Sequence, residues 1–380
     1  MPSARAGQPA VAAGTGRRAA ALTLPNTKLG SVQDTAATPP FPWPAGSATG
    51  VGSMPGTDPA EAVAVVLGEL PDLPYLPELP GRGPGADLTG RTAALLVDMP
   101  AETTPAGWKL ATRPGRDQRR AADLLSADLD AAQEAADGWT GPFKIQVCGP
   151  WTLAATIELS RSQNPALADP GAVADLTASL AEGVAAHVAE VRSRIPGATV
   201  LLQLDEPALP AVLAGSVPTA SGLNRVGAID ATVTCDSLRS VLSATTAFGL
   251  VHCCAADVPF GILTDAGAEA VGFDLGLLRR EDEDGLAEVA EAGLGILAGA
   301  VETMAERTSS APSPPPKEAA AGVIGLWRRI GLPAPKLAGQ VVLTPACGLA
   351  AASPASARAV LARCREAARL MPELIEEGPQ

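Results

Sequence analysis

What most limits the folds open to this chain is a count. Eight short runs rich in apolar and β-branched residues recur along it: TGVGS (49–53), PYLPEL (74–79), FKIQVC (143–148), ATVLLQL (198–204), GLVHC (249–253), EAVGFDL (269–275), LGILAGA (294–300) and GQVVLTP (339–345). Helical patterns separate most of them. AEAVAVVLGEL follows Thr57-Asp58-Pro59, a capping acid with proline at the first helical position. DQRRAADLLSADLDAAQEAAD (117–137), DLTASLAEGVAAHVAEVRSRI (175–195) and SPASARAVLARCREAARLM (353–371) repeat apolar residues at helical spacing. Eight strands alternating with helices is the count of a (β/α)8 barrel, an α/β fold. The competing open, doubly wound sheet usually carries G-x-G-x-x-G after its first strand, and none stands there.

The strand–helix alternation sets the expected boundaries. Residues 1–45, rich in Ala, Gly, Pro, Ser and Thr without an apolar period, read as a disordered leader, and 46–380 as one barrel domain. ERTSSAPSPPPKEAAA (306–321) breaks the pattern, so a flexible loop is expected at about 304–321. The formal net charge of −13 argues against a nucleic-acid or anionic-membrane surface, since both need a basic footprint. No run reaches the roughly 18 apolar residues of a membrane span. Six irregularly spaced cysteines in 380 residues do not make a disulfide framework and favour a reducing, cytoplasmic setting.

Active sites of such barrels lie at the C-terminal ends of the strands. The residues there are Ser53, Glu78, Cys148-Gly149-Pro150, Asp205-Glu206-Pro207, His252-Cys253-Cys254, Asp274, Glu302 and Cys347-Gly348. Acids, thiols and an imidazole thus fall on one expected rim. Side chains alternate along a strand, so His252 and Cys254 share a face while Cys253 points the other way. With Cys347 and one carboxylate they form a donor set that suits zinc. Burial as small hydrophobes accounts for Cys148, Cys235, Cys253 and Cys364. His187, mid-helix, is expected at the surface or hydrogen-bonded. Asp205 could bind a substrate amine or cap the next element.

Together these motifs resemble the C-terminal catalytic barrel of cobalamin-independent methionine synthase. QLDEPAL (203–209) is similar to that family's Q-x-D-E-P-A-L, VHCC (251–254) to its H-x-C pair, and TPACGLA (344–350) to its N-P-D-C-G-L. GVGSMPGT (50–57) is similar to I-G-S-F-P-Q-T, and VCGPWTL (147–153) to the T-G-P-V-T segment. Their order matches over about residues 46–370. The resemblance implies a TIM barrel of the methionine synthase and uroporphyrinogen decarboxylase type. It implies zinc-dependent transfer of a methyl group to the thiol of homocysteine, giving methionine. His252, Cys254 and Cys347 would ligate zinc and act in catalysis with Asp205, while Ser53, Glu78 and Asp205 would hold the amino-acid substrate.

Three departures from the family pattern matter, the last two of them for the methyl donor. The family's fourth zinc ligand is a Glu in V-I-S-I-E; at that place this sequence has Asp274, one methylene shorter but competent as an oxygen ligand, so the resemblance implies Asp274 as the fourth ligand. Folate-using members carry Y-D-I-H where AVETM places Met304, a side chain unable to transfer a proton. Full-length members also have an N-terminal half that helps hold polyglutamate folate, with no counterpart in this sequence. The methyl donor is therefore left open between a methyl-folate and a corrinoid-bound methyl brought by a corrinoid protein. Two alternatives stand beside this reading: a metal-free barrel related to uroporphyrinogen decarboxylase, and a non-catalytic barrel that binds an amino acid or metal.

Overall fold

Continuous apolar runs such as ATVLLQL suit parallel strands buried on both faces, and six such strands form one sheet in chain order. They are Gly141–Cys148, Ala198–Asp205, Phe248–Cys253, Ala270–Asp274, Gly295–Val301 and Val341–Pro345, each parallel to the next. The computed structural model describes residues 41–303 and 315–377.

Two further segments close the sheet into a barrel. Ala48 bridges Leu343 of the last strand, with Thr49 N–H donating to Leu343 O at 3.0 Å. Ser53 bridges Glu78, and Tyr75 bridges Lys144 of Gly141–Cys148. The ring is thus eight strands round, with segments 48–53 and 74–78 completing it, as the eight runs predict. These two are thin because their composition limits the ladder. Pro74 and Pro77 have no N–H to donate. Gly50 leaves room for the Tyr75 ring, whose nearest atom would lie 2.3 Å from an added Cβ.

Inward-facing positions grade from apolar to polar along the barrel. Leu73, Leu201, Leu250, Ala270, Leu297 and Val342 cluster with Trp43. The Trp43 indole N–H donates to Gly339 O at 3.1 Å, and an added Cβ at Gly295 would strike its ring at 2.6 Å. Residues 41–45 therefore do not belong to a disordered leader. Trp43 is an apolar plug for the barrel interior, and that burial outweighs the Pro- and Gly-rich sequence around it. The rest of the expected leader, 1–40, lies outside the described residues.

The helices fall where capping and periodicity place them. Asp58 accepts from Ala60 and Glu61 N–H at the start of Pro59–Glu69. Arg116–Ala135, Pro170–Arg194 and Pro354–Glu377 supply other outer-layer helices. Helix Pro316–Arg329 takes residues 316–321 out of the expected flexible loop, because Ala319 and Ala320 pack into the core. Residues 304–314, Met304 among them, lie outside the described residues. An antiparallel hairpin, Ala101–Thr104 with Gly107–Leu110, adds to the eight runs; Gly107, paired with Thr104, leaves its turn at φ 138°. Among the described residues no helix is long and apolar enough to cross a membrane.

Candidate functional site

At the C-terminal rim of the strands a cavity of about 330 Å³ opens, and Ser53, Glu78, Asp205, His252, Cys254 and Cys347 all line it. Ser53 and Glu78 are neighbours through the bridge between the first two strand segments. Leu349 N–H donates to Ser53 O at 2.8 Å, which draws the Cys347-Gly348 turn against the first segment. Gly348 leaves room for the Ser53 hydroxyl, which would lie 2.2 Å from an added Cβ.

Cys254 and Cys347 bring their sulfurs to 3.6 Å without a disulfide. The neighbouring Cys347 sulfur, and then burial, push the Cys254 thiol far above its ordinary range. Two thiolates cannot coexist at this distance without a cation between them. Zinc–sulfur bonds of about 2.3 Å at a tetrahedral angle give a sulfur–sulfur edge of about 3.8 Å, close to this spacing. Among the described residues, no three His, Cys, Asp or Glu side chains already converge on a single metal position. The donors present nonetheless fit zinc, because the thiol pair has the edge length of a zinc tetrahedron and His252 shares its cavity. Cys253 is buried behind the strand, where burial raises its thiol to about 12.

Asp274 stands at the end of its strand in an adjoining cavity of about 400 Å³, which it shares with Cys254 and Glu302. Its Oδ1 accepts from Gly276 N–H at 2.8 Å. The structure therefore does not gather Asp274 into the cavity that holds His252.

Asp205 does not cap the next element. Its Oδ1 lies 2.9 Å from His252 Nδ1 and accepts from Gln203 Nε2 at 2.8 Å. Its neighbour Glu206 turns back to an earlier element, accepting from Trp151 N–H, Thr152 N–H and the Thr152 hydroxyl at 2.7–2.9 Å at the start of helix Pro150–Thr156. Burial raises the Glu206 carboxyl to about 7 against those three bonds. Gly149 is forced by the same contact, since an added Cβ would sit 2.3 Å from Glu206 Oε1.

Behind the rim are charges that motif reading did not reach. Arg91 is buried between Glu78, 3.8 Å away, and Asp128, which also pairs with Arg82 at 2.6 Å. Lys144 is buried inside the barrel. Neither belongs to a recognisable motif; the only sequence signal for Lys144 is a charge inside a largely apolar strand. His187 is neither exposed nor hydrogen-bonded at Nδ1: it is 3% exposed, and burial holds its pKa down at about 3, helped by the Arg91 charge.

The family described as "Cobalamin-independent synthase, Catalytic domain" matches residues 158–370, more than half the chain. Asp205, His252, Cys254, Asp274 and Cys347 fall inside that match, while Ser53 and Glu78 lie before it. No curated protein matches the sequence. A solved B12-independent methionine synthase from Shewanella sp. W3-18-1, in complex with selenomethionine, shares the fold with a TM-score of 0.56. It is 11% identical, and the similarity covers 87% of this chain and 98% of that one.

Proposed function

The chain belongs to the cobalamin-independent synthase catalytic-domain family, and from that premise we propose that it is a zinc-dependent S-methyltransferase acting on the thiol of homocysteine to form methionine. The observation that carries this reading is the Cys254–Cys347 sulfur pair, set beside His252, Asp205, Glu78 and Ser53 in one cavity.

His252, Cys254 and Cys347 are the residues that would hold zinc, with Asp274, which shares the adjoining cavity with Cys254, as the fourth, oxygen donor. Bound there, zinc supplies a Lewis acid that keeps a substrate thiol ionised at neutral pH. The remaining work belongs to the chain. Asp205 has Oδ1 committed to Gln203 and His252, which leaves Oδ2 for the substrate ammonium. Glu78 offers a second carboxylate, and the Ser53 hydroxyl a donor for the substrate carboxylate. Three fixed contacts would hold the thiol in one orientation for in-line attack on the methyl group. The donor is a methyl-folate or a corrinoid-bound methyl, the latter requiring a corrinoid protein as partner.

Arg82 and Arg91 weigh against a porphyrinogen substrate, because both are already paired with Asp128 rather than presented to a polycarboxylate. The test is zinc per chain in protein purified under reducing conditions, beside Cys347→Ser, followed by methyl transfer to homocysteine from each donor. One equivalent of zinc, lost in the variant, with methionine formed, supports the reading. A wild type that takes up no zinc even when the metal is supplied overturns it. Zinc binding without transfer from either donor favours the non-catalytic binding barrel.

A further inference from the structure

Lys144 stands among side chains that give a cation little reason to be buried. Its Nζ donates to Val51 O at 2.9 Å and Gln203 Oε1 at 2.8 Å, with Gln146 Oε1 at 3.5 Å. Those partners are all neutral oxygens. The Tyr75 ring lies 5.1 Å away. Burial lowers the lysine pKa to about 8, while the charges of Asp205 and Glu78 act to raise it. A methionine would fill the same space without desolvating a charge, so its placement calls for an account.

The account lies in what a group with donors only imposes on its neighbours. An ammonium has no acceptor, so the Gln203 amide must turn its carbonyl toward Lys144. The NH₂ end then donates to Val51 O at 2.9 Å and to Asp205 Oδ1 at 2.8 Å. Asp205 Oδ1, an acceptor when ionised, faces His252 Nδ1 at 2.9 Å and so receives the imidazole proton. A neutral ring carrying its proton on Nδ1 keeps its lone pair on Nε2, the only nitrogen then able to take a metal. Gly272 on the next strand gives the ring its room: a Cβ there would lie 3.0 Å from His252 Cδ2.

We propose that Lys144 is a positioning residue that fixes, through Gln203 and Asp205, which nitrogen of His252 carries the proton. Its consequence for metal binding rests on the zinc reading given above; the geometry of the relay does not.

The chain has two histidines, so a histidine-specific ¹⁵N spectrum contains one control and one reporter. The protein is freed of metal by chelation. In the wild type His252 should show Nδ1 protonated and Nε2 bare. In Lys144→Met and Gln203→Met its signals should move toward averaged tautomers, while those of His187 stay in place and report an intact fold. Zinc affinity, measured by competition with a chelating dye, should fall about 10-fold in each, the order expected when support behind a ligand is removed. If Lys144→Met does not fold, Gln203→Met decides alone. A wild type with the proton on Nε2 overturns the proposal, as does either folded variant with the Nδ1–H tautomer unchanged. A wild type with the expected tautomer, lost in the variants, but with no zinc uptake upholds the relay and sinks the methyltransferase reading.

Discussion

Arg91 Nε faces Glu78 Oε1 across 3.8 Å, and neither atom has a hydrogen-bond partner. Both side chains are buried, and the other end of the guanidinium is held by Asp128. Burial raises the Glu78 carboxyl to about 7; Arg91, the second influence, pulls it back, and Asp205 pushes it up again. The acid that would meet the substrate ammonium is therefore poised to ionise near neutrality.

Substrate binding should follow that ionisation. KM for homocysteine should fall as pH rises through about 7, because only the carboxylate attracts the ammonium. Glu78→Gln should remove this dependence and weaken binding by about 10- to 100-fold at pH 8, the range of a hydrogen bond to a charged group. Initial rates at a series of pH values check it, and an unchanged pH profile in the variant would exclude Glu78 from the substrate site.

Arg91→Met removes one partner from buried charges that cannot be resolvated. It should cost about 3–5 kcal/mol by urea denaturation. Losing the nearby cation also raises the Glu78 carboxyl further, so the pH at which KM falls should move to the alkaline side. A merely structural role for Arg91 would lower stability without that displacement.

His187 supplies a stability prediction with the opposite sign to Glu78. Its folded pKa of about 3 lies below the ordinary value of 6.5. Its contribution is fully present above 6.5 and is lost as pH falls, because the unfolded chain takes up a proton first. Glu78, raised from 4.5 to about 7, loses stability as pH rises through that window. His187→Leu should therefore gain on the wild type by about 1.4 kcal/mol per pH unit on going below pH 6.5. Parallel stability–pH curves for the two proteins would show that His187 titrates normally.

The barrel was legible because its strands are written as apolar runs and its rim as chemistry at their ends. Ser53, Glu78, Asp205, His252, Cys254 and Cys347 meet in one cavity because strand ends share a rim whatever their separation in sequence. Trp43 was illegible because a disordered composition surrounds it, and only the apolar cluster inside the barrel, formed once the strands close, calls for an indole. Lys144 and Arg91, and the partners of Glu206, were illegible for a related reason. Each answers a particular neighbour, respectively Gln203, Glu78 with Asp128, and the N-terminus of helix Pro150–Thr156, and those pairings exist only after the chain has closed. Asp274 shows the converse. Strand-end position places it on the rim, but its Oδ1 bond to Gly276 N–H sits in the adjoining cavity.

Gly348→Ala probes the turn that carries Cys347. Its Cβ would lie 2.2 Å from Ser53 Oγ, so either the serine hydroxyl or the turn must shift. The expected cost is about 1–3 kcal/mol of stability, as for overpacking elsewhere. KM for homocysteine should rise as Ser53 is displaced. Ser53→Ala combined with Gly348→Ala should recover much of the stability and none of the affinity. Full stability in the single variant would mean that the turn is looser than its contacts indicate.

The two adjacent cysteines give the sharpest test of strand geometry. Cys253 is fully buried behind its strand, while Cys254, next in sequence, lies 3.6 Å from Cys347 in the rim cavity. A one-residue difference therefore separates a packed thiol from one that opens on the rim cavity. Cys253→Ala removes one buried sulfur and should cost about 1 kcal/mol of stability, the order of one lost methylene-sized group, while one zinc per chain is retained. Cys254→Ala opens toward the cavity, should cost less in the metal-free protein, and should abolish stoichiometric zinc. Metal content and metal-free urea midpoints of the two variants provide the comparison. Loss of zinc from Cys253→Ala, with Cys254→Ala unaffected, would place the opposite face of the strand toward the metal and overturn the assignment of His252 and Cys254 as a pair.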